Sequence, residues 1–153
     1  ETNALGNMFG GELLSRMDRA AAIAAQRHSE STVVTASVNH VSFKYPIPEG
    51  GVVVVEAKVS RAFNSSMEVF LDVFVEDAVT GQREKCNEAI YTFVAVDQNG
   101  NPIQVPELIP ETEEEKTRYD GALRRKQLAL ILAGKMKPSE ATELKKLFLD
   151  NAH

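Results

Sequence analysis

Residues 11–28, GELLSRMDRAAAIAAQRH, lead within three residues into residues 32–43, TVVTASVNHVSF, and the change of pattern between them decides the fold. In the first stretch, at about 100° per residue, Leu13, Leu14, Met17, Ala20, Ala21, Ala24 and Ala25 gather on one side. Glu12, Arg16, Arg19, Gln26 and Arg27 lie opposite, so the helix is expected to lie on something apolar. In the second stretch β-branched residues alternate along the chain, the pattern of a strand. Three more such runs follow: VVVVEAKVSRAF over 52–63, SMEVFLDVFVEDA over 66–78 and EAIYTFVAV over 88–96.

Turn chemistry separates the strands: Pro46, Pro48, Gly50 and Gly51 after the first, Asn64-Ser65 after the second, Thr80-Gly81 after the third. Loops this short favour antiparallel neighbours. In the third run Met67, Val69, Leu71, Val73 and Val75 alternate with Glu68, Phe70, Asp72, Phe74 and Glu76, so neither face is purely polar and partial cover of the outer face is expected. Upstream of the helix, residues 3–11, NALGNMFGG, read as a Gly- and Asn-rich loop. Beyond Asn99-Gly100, VPELIPETEEEKTRYDGALRRK contains a proline-bounded acidic helix start, and SEATELKKLFLDNA from Ser139 is amphipathic. The expected fold is α+β: one long helix wrapped by a twisted antiparallel sheet over residues 1–110, with a helical C-terminal extension over 111–153. A lone four-stranded sheet leaves edges and a second face to bury, so assembly through the sheet is expected.

With 153 residues, 43% of them hydrophobic and 25% charged, the chain suits one folded domain. A net charge of -5 with scattered lysines and arginines argues against nucleic acid as a partner. Cys86 is the only cysteine, so no intrachain disulfide or thiolate zinc cluster can form, which fits a reducing, cytoplasmic setting. No apolar run has the roughly 18 to 20 residues that a bilayer span needs, and no membrane association is expected.

Asp18 is the unusual residue of the helix. It lies too far past Gly10-Gly11 to be an N-cap, has no cationic partner at i±3 or i±4, and borders the apolar face. Partial desolvation there suits a base or nucleophile, although the same position also suits an ordinary solvated aspartate. Asn7-Met8-Phe9-Gly10-Gly11, read as a loop before a helix, offers free backbone N–H groups that can polarise a carbonyl, as well as an ordinary turn. His28 closes the helix, His153 is terminal and His40 lies in a strand. No His pair has metal-ligand spacing and no Gly-x-Ser-x-Gly elbow occurs, so neither a metal nor a catalytic triad is expected.

The segments NALGNMFGGELLSRMDRAAAIAAQRH, VVTASVNHVSF, RAFNSSMEV and YTFVAVDQNGNPIQVPELIPETEEEK, in that order and spacing, resemble the acyl-CoA thioesterases of the hotdog fold. The resemblance implies hydrolysis of fatty acyl-CoA to free acid and CoA, with no cofactor beyond CoA itself, in a homo-oligomer of dimers assembled as a trimer. It places the family's active-site asparagine on Asn7 and its helix carboxylate on Asp18, and CoA contacts on Ala36, Ser37 and Val38 and on Ser65, Ser66 and Met67. Members carry a first strand ahead of the Asn-Gly loop, implying that the sequence continues before Glu1, and many have aspartate where this chain has Asn39. Asp18 is thus the main carboxylate candidate, with Gly10 and Gly11 holding the thioester oxygen and Asp18 either activating water or attacking directly. The competing readings are a hotdog hydratase or dehydratase, which needs a base such as histidine, and a non-catalytic acyl-CoA binding module.

Overall fold

The computed structural model describes residues 2–43 and 51–142, with side chains over 11–39 and 51–142. Helix α1 (Thr2–Ser29) is followed by strands β1 (Thr32–Phe43), β2 (Val52–Ala62), β3 (Ser66–Glu76) and β4 (Arg83–Val96). All neighbours are antiparallel, in the order β1-β4-β3-β2. Strands β2, β3 and β4 form a meander, and β1 pairs with the far side of β4, leaving β1 and β2 as the edges. The long helix against an antiparallel sheet is the arrangement the residue pattern predicts, and it matches the hotdog fold that the resemblance implies.

The helix sits on the sheet by every fourth residue. Leu13, Met17, Ala21 and Ala25 are buried against Met67, Val69, Leu71 and Val73 of β3 and Ala89, Tyr91, Phe93 and Ala95 of β4. The two alanines carry no side chain beyond Cβ, so the C-terminal half of α1 can approach the sheet closely. Leu14, expected on the apolar face, is 37% exposed because this buried stripe is narrower than the sequence pattern. At the far end Glu30 takes a positive φ of 53°, which turns the chain out of the helix, and Ser29 donates back to the Ala25 carbonyl. Both faces of β3 are buried from Ser66 to Val73, so the mixed character of that run reflects real cover on each side.

Two expectations need correction. The helix begins at Thr2, so residues 3–11 are helical and not a loop, and Gly10 and Gly11 lie well inside α1. Ala4, Leu5 and Met8 are strong helix formers, and the glycines tolerate helical dihedrals at about 1 kcal/mol each relative to alanine. β4 begins at Arg83, before the apolar run, because Arg83, Glu84 and Lys85 pair with Glu76, Val75 and Phe74 and prolong the β3–β4 hairpin.

The chain divides into two compact units, Glu1–Glu107 and Leu108–His153. The second holds helix α2 (Glu113–Leu132), opened by a capping box in which Thr112 accepts from the Glu115 amide and Glu115 accepts from the Thr112 amide. A short 3-10 turn, Pro138–Glu140, follows, and most of the amphipathic stretch beyond it lies outside the described residues.

Met17 has no exposed surface and joins α1 to the sheet. Met17→Ala should lower unfolding stability by about 2–5 kcal/mol. In urea titration this appears as an earlier midpoint with unchanged slope.

Candidate active site

Asp18 lies one residue beyond Met17 on α1 and is exposed, yet its Oδ1 accepts a hydrogen bond from the hydroxyl of Tyr91 on β4. The Tyr91 ring is 1% exposed and stacks on Phe93 with centroids 6.0 Å apart. A buried phenol needs a partner for its hydroxyl, and the nearby helix supplies one. Burial first, and then the Asp18 carboxylate, push the Tyr91 phenol above its ordinary range, so it stays protonated and donating.

Tyr91 is opposite Val38 on β1 and Val69 on β3. Thr35 is opposite Phe93 and Ser37 opposite Thr92, which makes Ala36 the extra residue of a bulge. The bulge resets the alternation, so Thr35 and Val38 both point to the helix-facing side while Ser37 points outward. Residues 34–39 are exposed along this edge strand, Val38 by 44%. The margin between α1 and β1 is therefore open beside Asp18.

The sequence-derived candidates distribute unevenly over this frame. Val38 shares the face of Tyr91 and Asp18, whereas Ser37 and Ser66 fall on the outer face and Met67 is fully buried in the core. Ser65 and Asn64, at the tip of the β2–β3 hairpin, accept through their carbonyls from the amides of Ala95 and Val105, which pins the tip beside the end of β4. Asn7 lies within α1 eleven residues before Asp18, about 16 Å away along a straight helix. Gly10 and Gly11 have helical backbone, so their amides point at carbonyls four residues back, not at an open helix end. Among the described residues, nothing outside its own stretch of helix comes within 4 Å of where a Cβ at Gly11 would stand, leaving that flank clear of them.

His28 is engaged through Nε2 with the Pro106 carbonyl at 2.7 Å. The Cys86 thiol is buried, raised above its usual range by that burial, and contacts the Val73 carbonyl. Among the described residues no cluster of His, Cys, Asp and Glu could hold a metal ion. The Asn87 side chain is 2% exposed, and among the described residues neither of its amide atoms finds a hydrogen-bond partner. Tyr91 is the residue that sequence reading missed: as one apolar-facing member of an alternating strand, its hydroxyl gives no sign of a partner from another element.

The family model of the thioesterase superfamily matches residues 5–82. The chain is 43% identical over 125 residues, 82% of its length, to the uncharacterized acyl-CoA thioester hydrolase YkhA of Bacillus subtilis, of which it covers 73%. Among solved structures, a hexameric acyl-CoA thioesterase in its apo form superposes with a TM-score of 0.77 at 40% identity, over 81% of this chain and 80% of that one. An acyl-CoA hydrolase from Staphylococcus aureus, solved with butyryl-CoA, CoA and CoA disulfide, superposes at 0.74 with 34% identity, over 94% of this chain and 83% of that one. The same hydrolase was characterised as alanine mutants of an asparagine, an aspartate fifteen residues later and a threonine seventeen beyond that.

Tyr91, one of 3 tyrosines in the chain, is held protonated by burial and Asp18. A raised phenol pKa contributes stability below the ordinary value of about 10 that is lost as pH climbs through the folded value. Ultraviolet titration should show one tyrosine ionising later than an unfolded control, and Tyr91→Phe should remove that late step. A titration curve that Tyr91→Phe lowers only at the ordinary phenol pH would show that Tyr91 is not so held.

Proposed function

The chain belongs to the thioesterase superfamily, and on that premise we propose that it is an acyl-CoA thioester hydrolase releasing a fatty acid and CoA, with Asp18 as its base or nucleophile. The observation that carries the assignment of the site is the exposed Asp18 carboxylate, gripped at Oδ1 by Tyr91 on the open margin between α1 and β1. With Oδ1 engaged, Oδ2 serves the chemistry. As a base it takes a proton from water while the water oxygen attacks the thioester carbon; the tetrahedral intermediate then collapses, the C–S bond breaks and CoA departs as thiolate. As a nucleophile it displaces CoA itself and leaves a mixed anhydride that water cleaves. A thiolate is a good leaving group, so the reading calls for no cofactor or metal.

With Asp18 taken as the counterpart of the aspartate mutated in the Staphylococcus aureus hydrolase, the same spacing counts back to Asn3 and forward to Thr35. That spacing supports Asn3 over Asn7 as the active-site asparagine in this reading. Thr35 joins the site from the helix-facing side of the bulge, beside Val38. Along α1 Asn3 is about 22 Å from Asp18, too far for both to act on one carbonyl. Each site accordingly takes its asparagine from a second copy, in a dimer with two equivalent sites. The resemblance to a hexameric thioesterase supports a trimer of such dimers.

Gly11 lies about 10 Å along α1 from Asp18, so in this reading Gly10 and Gly11 meet the thioester from the same second copy that brings the asparagine, by allowing approach and not as a helix terminus. The hairpin tip at Ser65 lies about 10 Å along β4 from Tyr91, a span that an extended CoA arm covers, with Ala36 and Val38 on the opposite lip, while Ser66 and Ser37 face away from it. No helix among the described residues is long and apolar enough to cross a membrane, which is compatible with a cytoplasmic enzyme. The hydratase reading loses support because His28, the helix histidine, is tied to Pro106.

Asp18→Asn should lower kcat for thiol release from acyl-CoA by about 10²-fold or more while the melting temperature stays close to wild type. Asn3→Ala should cost far more activity than Asn7→Ala. An Asp18→Asn protein with near wild-type turnover would overturn the site, and binding without any turnover in the wild type would leave an acyl-CoA binding module.

A further inference from the structure

We infer that Tyr91 is a positioning residue: its hydroxyl fixes the Asp18 carboxylate in one orientation, with Oδ1 held and Oδ2 presented to the substrate. The inference rests on the reading of Asp18 as the reacting group. Its warrant is the contrast between the two partners. Asp18 stands on the exposed flank of a helix, where a short carboxylate side chain without a fixed partner would have several rotamers open to it. Tyr91 has no such freedom, being stacked on Phe93 at 9° between planes and set between Val38 and Val69 on the neighbouring strands.

The phenol is thus a fixed donor on a rigid sheet, and the carboxylate takes its orientation from it. Orientation is what a group on an open margin lacks, since a reacting oxygen must meet the carbonyl or the water within a narrow range of angles. The phenol's proton is held by burial and by the carboxylate together, so it remains a hydrogen-bond donor throughout and is not given to the departing thiolate. Tyr91 therefore touches neither substrate nor the reacting atoms and acts through Asp18. This role separates it from Thr35 and Val38, which share its side of the sheet but line the open lip.

Tyr91→Phe tests the inference with little risk to the fold, because phenylalanine keeps the ring, its stack on Phe93 and its burial, and the exposed Asp18 is resolvated by water. With butyryl-CoA as substrate, the variant should lose about tenfold or more in kcat with KM within about twofold, the size expected for one hydrogen bond to a charged group. A residue that only supported the fold would move the melting temperature and spare kcat per folded molecule. Tyr91→Phe should also have no further effect on the residual turnover of Asp18→Asn, since the two act in series. If Tyr91→Phe turns over like wild type while Asp18→Asn is inactive, the positioning role is wrong and the assignment of Asp18 stands. If Tyr91→Phe lowers turnover equally in the Asp18→Asn background, Tyr91 acts independently of Asp18 and the inference fails. If Asp18→Asn itself keeps wild-type turnover, the site reading fails and takes this inference with it.

Discussion

The structure depends on how closely α1 lies on the sheet. Between Met17 and Ala25 its buried stripe loses bulk to two alanines, and the strands answer with larger residues: Met67, Val69, Leu71 and Phe93 fill the space that the helix gives up. Close approach puts a β4 phenol within hydrogen-bonding range of a carboxylate on the helix flank. A bulkier residue at Ala21 would have to lift the helix or displace the strands beneath it, because close-packed interiors do not absorb extra methylenes without strain. Packing and the candidate chemistry are thus set by the same interface, with Met17 on the buried side of one turn and Asp18 on the exposed side.

Edges matter as much as the core. β1 is an edge strand whose residues 34–39 are exposed, and a bulge at Ala36 alters which of them face the helix. Exposed edges favour pairing with another chain. Here the exposed edge also borders the carboxylate, so a surface suited to assembly and a surface suited to substrate lie side by side. The proposed sharing of each site with a second copy rests on that placement and on the separation of Asn3 from Asp18 along α1.

Much of the fold was legible because periodicity reports burial directly. The β1 run was bounded at Thr32 and Phe43, as in the structure, and the i, i+4 core of α1 appeared in Leu13, Met17, Ala21 and Ala25. The helix start was not legible: a glycine-rich segment fits a loop or a tolerated helix, and composition does not choose between them. The charged opening of β4 was missed because Arg83 to Lys85 lack apolar alternation and are strand only through pairing with β3. In the site, Asp18 stood out by lacking a partner in its own helix. Its real partner, Tyr91, is 73 residues away in sequence, and such a contact becomes visible only when the sheet is folded. The split of Ser37 from Val38 across two faces was hidden for a related reason, since a bulge resets alternation without leaving a mark in the residue pattern.

The most direct measurement is the release of free CoA thiol from acyl-CoA by the wild-type protein, followed with a thiol-reactive dye, alongside recovery of the free acid. Many turnovers per protein chain, with one thiol and one acid formed per thioester consumed, are expected of an acyl-CoA hydrolase. Saturable binding of acyl-CoA with no thiol released would contradict that chemistry.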